Sequence, residues 1–246
     1  VFEQSMAEIG FDISELKKGV TPLALYHILH KARGTKYELI VNNSILRSMA
    51  KAQYSANNIG HFGLVIDKYS HFTSPIRRYP DLLIHRIMSA YLTGMKRENI
   101  EMRYRTFVSE AAEKTSMQEV RAMGIERDCE DCYKAEYMKQ FLGEELDGMI
   151  SSIAPHGVYV ELPNTVEGLI RMEDMPEGEY DTQSKVILQN ATTGRTYIVG
   201  DPIRVQVVAC DVSAGNVDFI PAGTTRKPRP EKGQKPGNRS GRGPRR

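Results

Sequence analysis

The feature that most constrains this chain is a change of hydrophobic period at about residue 144. From about 104 to 143, Val108, Ala111, Ala112, Met117, Val120, Met123, Cys129 and Tyr133 recur at helical spacing among charged residues, which predicts one or two long helices. From 144 to 221 the pattern alternates instead. In residues 158–162, Val158, Val160 and Leu162 share one face and Tyr159 and Glu161 the other, the two-residue period of a half-buried strand. Residues 146–153, 203–211 and 216–220 read as further strands, and the turn at Pro163 and Asn164 leads into residues 166–171. With a weaker strand near 185–189 they fit a small five-stranded barrel.

The first 103 residues mix helical stretches with loops, and the 246-residue length suits two domains with accessory segments. No apolar run approaches the roughly 18 residues of a membrane span, and no basic-then-apolar leader opens the chain. A cytoplasmic protein that does not engage a membrane is the expectation. Val1 is not an initiator methionine and residues 1–6 read as helix in mid-course, so a longer gene product is expected to extend upstream. The three cysteines are too few and too unevenly placed for a disulfide framework. Cys129 and Cys132 form a lone CxxC within a helical pattern and read as half-buried helix residues rather than metal ligands. His27 and His30, in an apolar helix, read as packing and surface residues.

Net charge conceals an asymmetry. Residues 224–246 hold nine Lys or Arg against one acid, Glu231, a tail of +8; since the whole chain is +2, the remainder is −6. A basic tail rich in Pro and Gly, on an acidic body, points to a polyanionic partner. From residue 222 onward the composition supports no core and predicts disorder.

The segment with the most chemistry runs from Gly60 to Arg86. Ser74 and Pro75 read as an N-cap followed by proline at the first helical position, with Pro80 restarting the turn. Leu83, Ile84, Ile87, Met88 and Tyr91 then form an apolar face, while Asp81 and His85, four apart, are placed to pair. Arg77 and Arg78 thus fall in a first helical turn, where free amides and the positive dipole end already favour an anion. Guanidinium groups there suit a phosphodiester, whose oxygens gain negative charge as the bond breaks. Surface charges or structural carboxylate pairs are the competing reading of the same two arginines.

The string HFTSPIRRYPDLLIHR, residues 71–86, resembles nearly residue for residue the signature of the ribonuclease II/ribonuclease R (RNB) family of exoribonucleases. Residues 42–55 resemble the segment that leads into that family's GHFGL sequence. GMISSIAPHGVYVELPNTVEGLI, from residue 148, resembles the S-one type of OB-fold RNA-binding domain, as does GDPIRVQVVACD from residue 200. The resemblance covers most of residues 1–221. It implies an α+β chain: a mainly helical, carboxy-terminal part of an RNB catalytic domain at 1–143, a five-stranded OB-fold barrel at 144–221, and a disordered basic tail at 222–246.

By the same resemblance the parent protein hydrolyses RNA from its 3′ end to nucleoside 5′-monophosphates. Arg77 takes the contact with the scissile phosphate region, and Glu126, in Gly124-Ile-Glu-Arg127, lines the site. On the barrel, His156, Tyr159 and Arg171 occupy positions where such domains bind RNA; the basic residue common in the final turn is replaced near Gly215 and Asn216. The family's magnesium is held by clustered aspartates. No such cluster occurs here, so no metal ligand is assigned and the ligands are expected upstream of Val1. The isolated chain is expected to bind RNA and not to cut it. Its expected partners are single-stranded RNA 3′ ends and, through the tail, the ribosome or structured RNA; it is expected to be a monomer. A non-catalytic RNA-binding module that keeps a catalytic-like domain as scaffold is the alternative.

Overall fold

The computed structural model describes residues 2–225, placing helices before the β structure. Of the basic tail expected at 222–246, everything from residue 226 lies outside the described residues.

Three helices open the chain: α1 (Phe2–Glu8), α2 (Pro22–Ala32) and α3 (Glu38–Ser48). Thr21 caps α2 by accepting a hydrogen bond from the Ala24 amide at 3.1 Å, with Pro22 at the first helical position where its missing N–H costs nothing. Met6, Ile28, Ala32, Ile40 and Val41 are fully or nearly fully buried between them. Ser184, in the later β region of the chain, donates to Glu8 of α1 at 2.5 Å, so the helical unit is tied to the β structure. One apolar cluster runs from Met6 and Val41 through to Ile150, Val158 and Phe219.

Residues 49–78 form neither helix nor strand apart from a bridge between His61 and Ile66. Then come α4 (Tyr79–Leu92) and α5 (Arg97–Met138), the latter 42 residues long, or about 63 Å at 1.5 Å per residue. A single helix replaces the one or two expected, and it begins seven residues before the anticipated start at 104. Its first turns carry charge and little apolar periodicity; they are supported by pairs such as Arg97–Glu101, at 2.9 Å and four residues apart. Only at its end does α5 bury side chains, Ala135 and Met138, where it packs on the strands Pro202–Asp211 and Asn216–Pro221.

The barrel strands are β1 (Glu145–Ala154), β2 (Gly157–Glu161), β3 (Glu167–Arg171), β7 (Pro202–Asp211) and β8 (Asn216–Pro221), closed in the order β1-β2-β3-β8-β7. All pairs are antiparallel except β3–β8, which run parallel with Leu169 opposite Asp218 and Ile170 opposite Phe219. Inside, Ile150, Val158, Val160, Ile170, Val205, Val207 and Phe219 are fully buried. The alternation expected for residues 158–162 is present: Val158, Val160 and Leu162 face in and Tyr159 and Glu161 do not.

The expected weak strand at 185–189 is corrected. Its counterpart β5 (Ile187–Asn190) lies in a separate three-stranded sheet with β4 (Tyr180–Asp181) and β6 (Thr196–Ile198). Because β3 and β8 pair directly, the barrel closes on five strands without it. The excursion instead folds on itself and buries Leu188, Tyr197 and Val199.

Closure leaves no room at Gly168, where a Cβ would overlap the Phe219 ring in the barrel centre. Gly168→Ala is expected to lower stability by about 1–3 kcal/mol, as overpacking of a filled core does, and to shift the urea midpoint downward.

Candidate nucleic-acid interface

The corner between residues 74 and 81 is built around one carboxylate. Pro75 and Ile76 turn the chain, and the Arg77 and Arg78 amides both donate to the Ser74 carbonyl, at 3.3 and 2.9 Å. The helix does not start at Pro75. It starts at Tyr79, with Arg78 extended at the N-cap. Pro80 decides this: in a helix begun at 75 its ring would meet the Ile76 carbonyl, whereas within a first turn it is tolerated. Arg77 and Arg78 therefore precede the first helical turn rather than occupying it.

Asp81 Oδ2 accepts from the Ser74 amide at 2.7 Å and from Arg78 Nη2 and Nε at 2.8 and 3.2 Å. Asp81 is fully buried. Burial pushes its pKa up, but the Ser74 amide and the Arg78 guanidinium outweigh that and hold the carboxyl below its ordinary range. The expected Asp81–His85 pair is absent. His85 Nε2 instead hydrogen-bonds the Phe72 carbonyl at 2.8 Å, its ring 4.3 Å from that of Phe72. A buried carboxylate is best served by a guanidinium and an amide aimed at it, and both lie on the preceding turn. The two residues thus fasten two points of the loop to α4.

This separates the arginines. Arg78, expected as an RNA contact, pairs its guanidinium with Asp81 within the fold. Arg77 is exposed and has no ion pair among the described residues. Tyr54 is latched to α5 in both directions: its amide donates to Ser116 Oγ at 2.9 Å, and Ser116 Oγ donates to its carbonyl at 3.2 Å. Burial raises the Tyr54 pKa, with Glu119 and Asp81 adding to the rise and Arg78 and Arg77 opposing it. Glu119 is an α5 acid whose charge reaches Tyr54. Glu126, the expected one, lies seven residues further on, about 10.5 Å along the helix, exposed and without an ion pair among the described residues. Tyr54, Ser116 and Glu119 were missed from sequence; a latch across 62 residues leaves no local pattern.

The second part of the interface is on the barrel. Tyr159 faces outward from β2, and its hydroxyl lies 2.9 Å from His156 Nε2, the rings perpendicular at 5.7 Å. Gly157 pairs with Arg171 and Tyr159 with Leu169, so the register brings Arg171 onto the same side. Arg171 Nη2 is 3.5 Å from Asp218 Oδ1, while its Nε is buried without a hydrogen-bond partner. His156, Tyr159 and Arg171, expected as RNA contacts, thus lie together. The final turn is not free for a ligand: Gly215, at φ 65°, comes so close to Asp131 of α5 that a Cβ would lie 2.8 Å from that side chain.

Among the described residues no group of three or more His, Cys, Asp or Glu side chains converges as metal ligands do. Among them, too, no helix is long and apolar enough to cross a membrane.

Residues 2–94 match the RNB domain family model, and residues 139–220 match the S1 RNA binding domain model. Ribonuclease R 1 of Lactococcus lactis is 38% identical over 214 residues, 87% of this chain and 26% of that protein. Ribonuclease R of Aquifex aeolicus is 38% identical over 202 residues, 81% of this chain and 28% of that protein. The apo form of Mycoplasma genitalium RNase R superposes with a TM-score of 0.78 at 25% identity, covering 89% of this chain and 35% of that one. Its complex with ribose methylated single-stranded RNA superposes equally well. The chain therefore spans about a quarter of the length of these curated relatives.

Removing Asp81 leaves Arg78 largely buried without its carboxylate, so Asp81→Ala is expected to cost about 3–5 kcal/mol in urea unfolding. Because the folded pKa of Asp81 lies below its ordinary value of 3.8, its contribution is complete above that value and is lost as the pH falls through the depressed pKa. The stability gap between the unaltered chain and Asp81→Asn, followed from pH 6 down to about pH 3, is accordingly expected to narrow.

Proposed function

We propose, for a chain that belongs to the ribonuclease R family and joins part of an RNB domain to an S1 RNA binding domain, that its parent is a 3′-to-5′ exoribonuclease. The parent releases nucleoside 5′-monophosphates from single-stranded RNA ends. The observation that carries this reading is the free guanidinium of Arg77, held out by a corner in which Arg78 and Asp81 neutralise each other. In hydrolysis a water oxygen bonds to the phosphorus, and the 3′ oxygen of the preceding ribose leaves with a proton. The phosphoryl oxygens gain charge on the way. A fixed cation at those oxygens stabilises the transition state more than the ground state, which is what accelerates a reaction. The amides at the start of α4 add to the same field.

The barrel holds the RNA upstream of the cut. Tyr159 and His156 offer rings for base stacking, and Arg171 a cation for the backbone, so grip there is insensitive to sequence. The basic tail adds salt-dependent contact with RNA or the ribosome. The family's magnesium does not fit the described residues of this chain, which bring no three acids together, and no step is assigned through them. Its ligands are assigned to the part of the parent that this chain does not span. The protein acts as a monomer in the cytoplasm. For the chain by itself the same lack of converging acids favours the second reading, an RNA-binding module.

The deciding experiment gives the full-length parent 5′-labelled RNA and magnesium. Stepwise 3′ shortening is expected. Arg77→Ala should slow it about 100- to 1,000-fold, with little recovery in Arg77→Lys, whose ammonium cannot make the forked contact. No shortening with RNA binding intact would hand the parent to the second reading. The 246-residue chain is expected to bind RNA without turnover, and metal-dependent degradation by it would overturn the division of labour proposed here.

A further inference from the structure

The excursion between β3 and β7 folds into a sheet of its own, and between that sheet and the barrel lies a crevice of about 420 Å³. Tyr197 of β6 and Pro202 and Ile203 of β7 form its apolar side; Arg195, Asp201 and Arg204 form its polar side. The volume falls in the roughly 300–1,000 Å³ range of small-molecule sites, which combine apolar walls with a few convergent polar groups. None of these residues belongs to the 74–81 corner or to the Tyr159 face.

The walls are fixed by hydrogen bonds. The Gly200 amide donates to the Ile150 carbonyl at 2.8 Å and the Ile150 amide to the Asp201 carbonyl at 3.0 Å, so the corner between β6 and β7 is pinned to β1. Arg195 follows a turn in which the Thr192 and Thr193 amides both donate to Oδ1 of the buried Asn190, at 3.0 and 2.9 Å. Its guanidinium then lies over the Tyr197 ring, 4.9 Å from the centroid. An aromatic face orients a guanidinium without neutralising it and leaves the N–H edges for a ligand. Among the described residues no ion pair engages Arg195, whereas Arg204 reaches Glu145 at 3.1 Å and Asp147 at 3.8 Å. Those partners are exposed, and exposed pairs hold weakly, so a phosphate competes for Arg204 at little cost. Asp201 Oδ2 accepts from the Ile198 amide at 3.0 Å, which orients the carboxylate and leaves its other oxygen to accept from a ligand hydroxyl.

Charge of both signs selects the ligand. Two guanidinium groups suit a phosphate monoester. A carboxylate beside them disfavours a bare anion and suits a sugar hydroxyl, as in dinucleotide-binding folds where an acid holds the ribose. We propose that the crevice binds a nucleoside 5′-monophosphate, with Arg195 and Arg204 on the phosphate, Asp201 on the ribose, and Pro202 and Ile203 against the base. The small sheet supplies Arg195 and Tyr197 to this site, and β7 supplies the apolar wall and the second cation. Occupancy does not depend on the parent's being an exoribonuclease, so the two readings fail separately.

Isothermal titration of the 246-residue chain with adenosine 5′-monophosphate is expected to show saturable binding at one site, with adenosine and inorganic phosphate each about tenfold weaker or more. Arg195 is exposed and outside the core. Arg195→Ala should weaken the nucleotide about tenfold and leave adenosine unchanged, while Tyr159→Ala should leave the nucleotide unchanged. The unaltered chain gives a readout that no folding defect touches: 8-azidoadenosine 5′-monophosphate, photoactivated on it, should label the segment from 195 to 204. Labelling confined to 54–85 or to 156–171, inorganic phosphate binding as tightly as the nucleotide, full nucleotide affinity in Arg195→Ala, or no saturable binding at all would each overturn the proposal. Displacement of the nucleotide by single-stranded RNA would assign the crevice to the RNA path and overturn it as well.

Discussion

The Asp81 carboxylate is removed from water entirely, and the corner that presents Arg77 depends on how that charge is satisfied. A buried carboxylate without partners would be prohibitive; with an amide and a guanidinium on one oxygen it is tolerated and becomes directional. The direction matters more than the net stability. By drawing in Ser74 and Arg78, Asp81 sets the path of the four residues from 75 to 78, and with it the outward aim of the remaining arginine. Two adjacent cations of the same chemistry thereby acquire different surroundings, one paired internally and one left exposed.

Closure of the barrel rests on a different constraint. The parallel contact of β3 with β8 makes Phe219 the central filling residue and requires glycine at 168 opposite it. Once closed, the barrel has no edges to extend, so the polar excursion between β3 and β7 forms its own small sheet. That sheet and the first three helices share one apolar cluster with the barrel, which is why a partial catalytic domain and an RNA-binding barrel are joined by packing as well as by chain. The long α5 adds a second connection, exposed through its middle and buried only where Ala135 and Met138 reach the barrel wall.

The two candidate surfaces differ in charge. His156, Tyr159 and Arg171 form a face of rings and partial positive charge, with Asp218 drawing on the arginine. The 74–81 corner instead carries the guanidinium of Arg77, without an ion pair among the described residues.

Much of this was legible in the sequence. Period-two alternation at 158–162 places Val158 and Val160 inside and Tyr159 outside, because side chains on a strand have only two sides to choose from. The 71–86 string carries its family resemblance in its residue order. Local patterns failed where the partner is remote or the competition is between neighbours. Pro75 and Pro80 both read as helix starts, and only the clash that Pro80 would make decides between them. Asp81 had His85, Arg78 and Ser74 within reach, and burial chose the amide and the guanidinium. The latch from Ser116 to Tyr54, across 62 residues of chain, left no local pattern to read. The sequence by itself determined the family resemblance, most of the barrel strands and the identity of the charged residues. Tertiary structure alone decided which charges cancel and which remain free, since that depends on distances across the fold and on exclusion of water, neither of which is written in the spacing of residues along the chain.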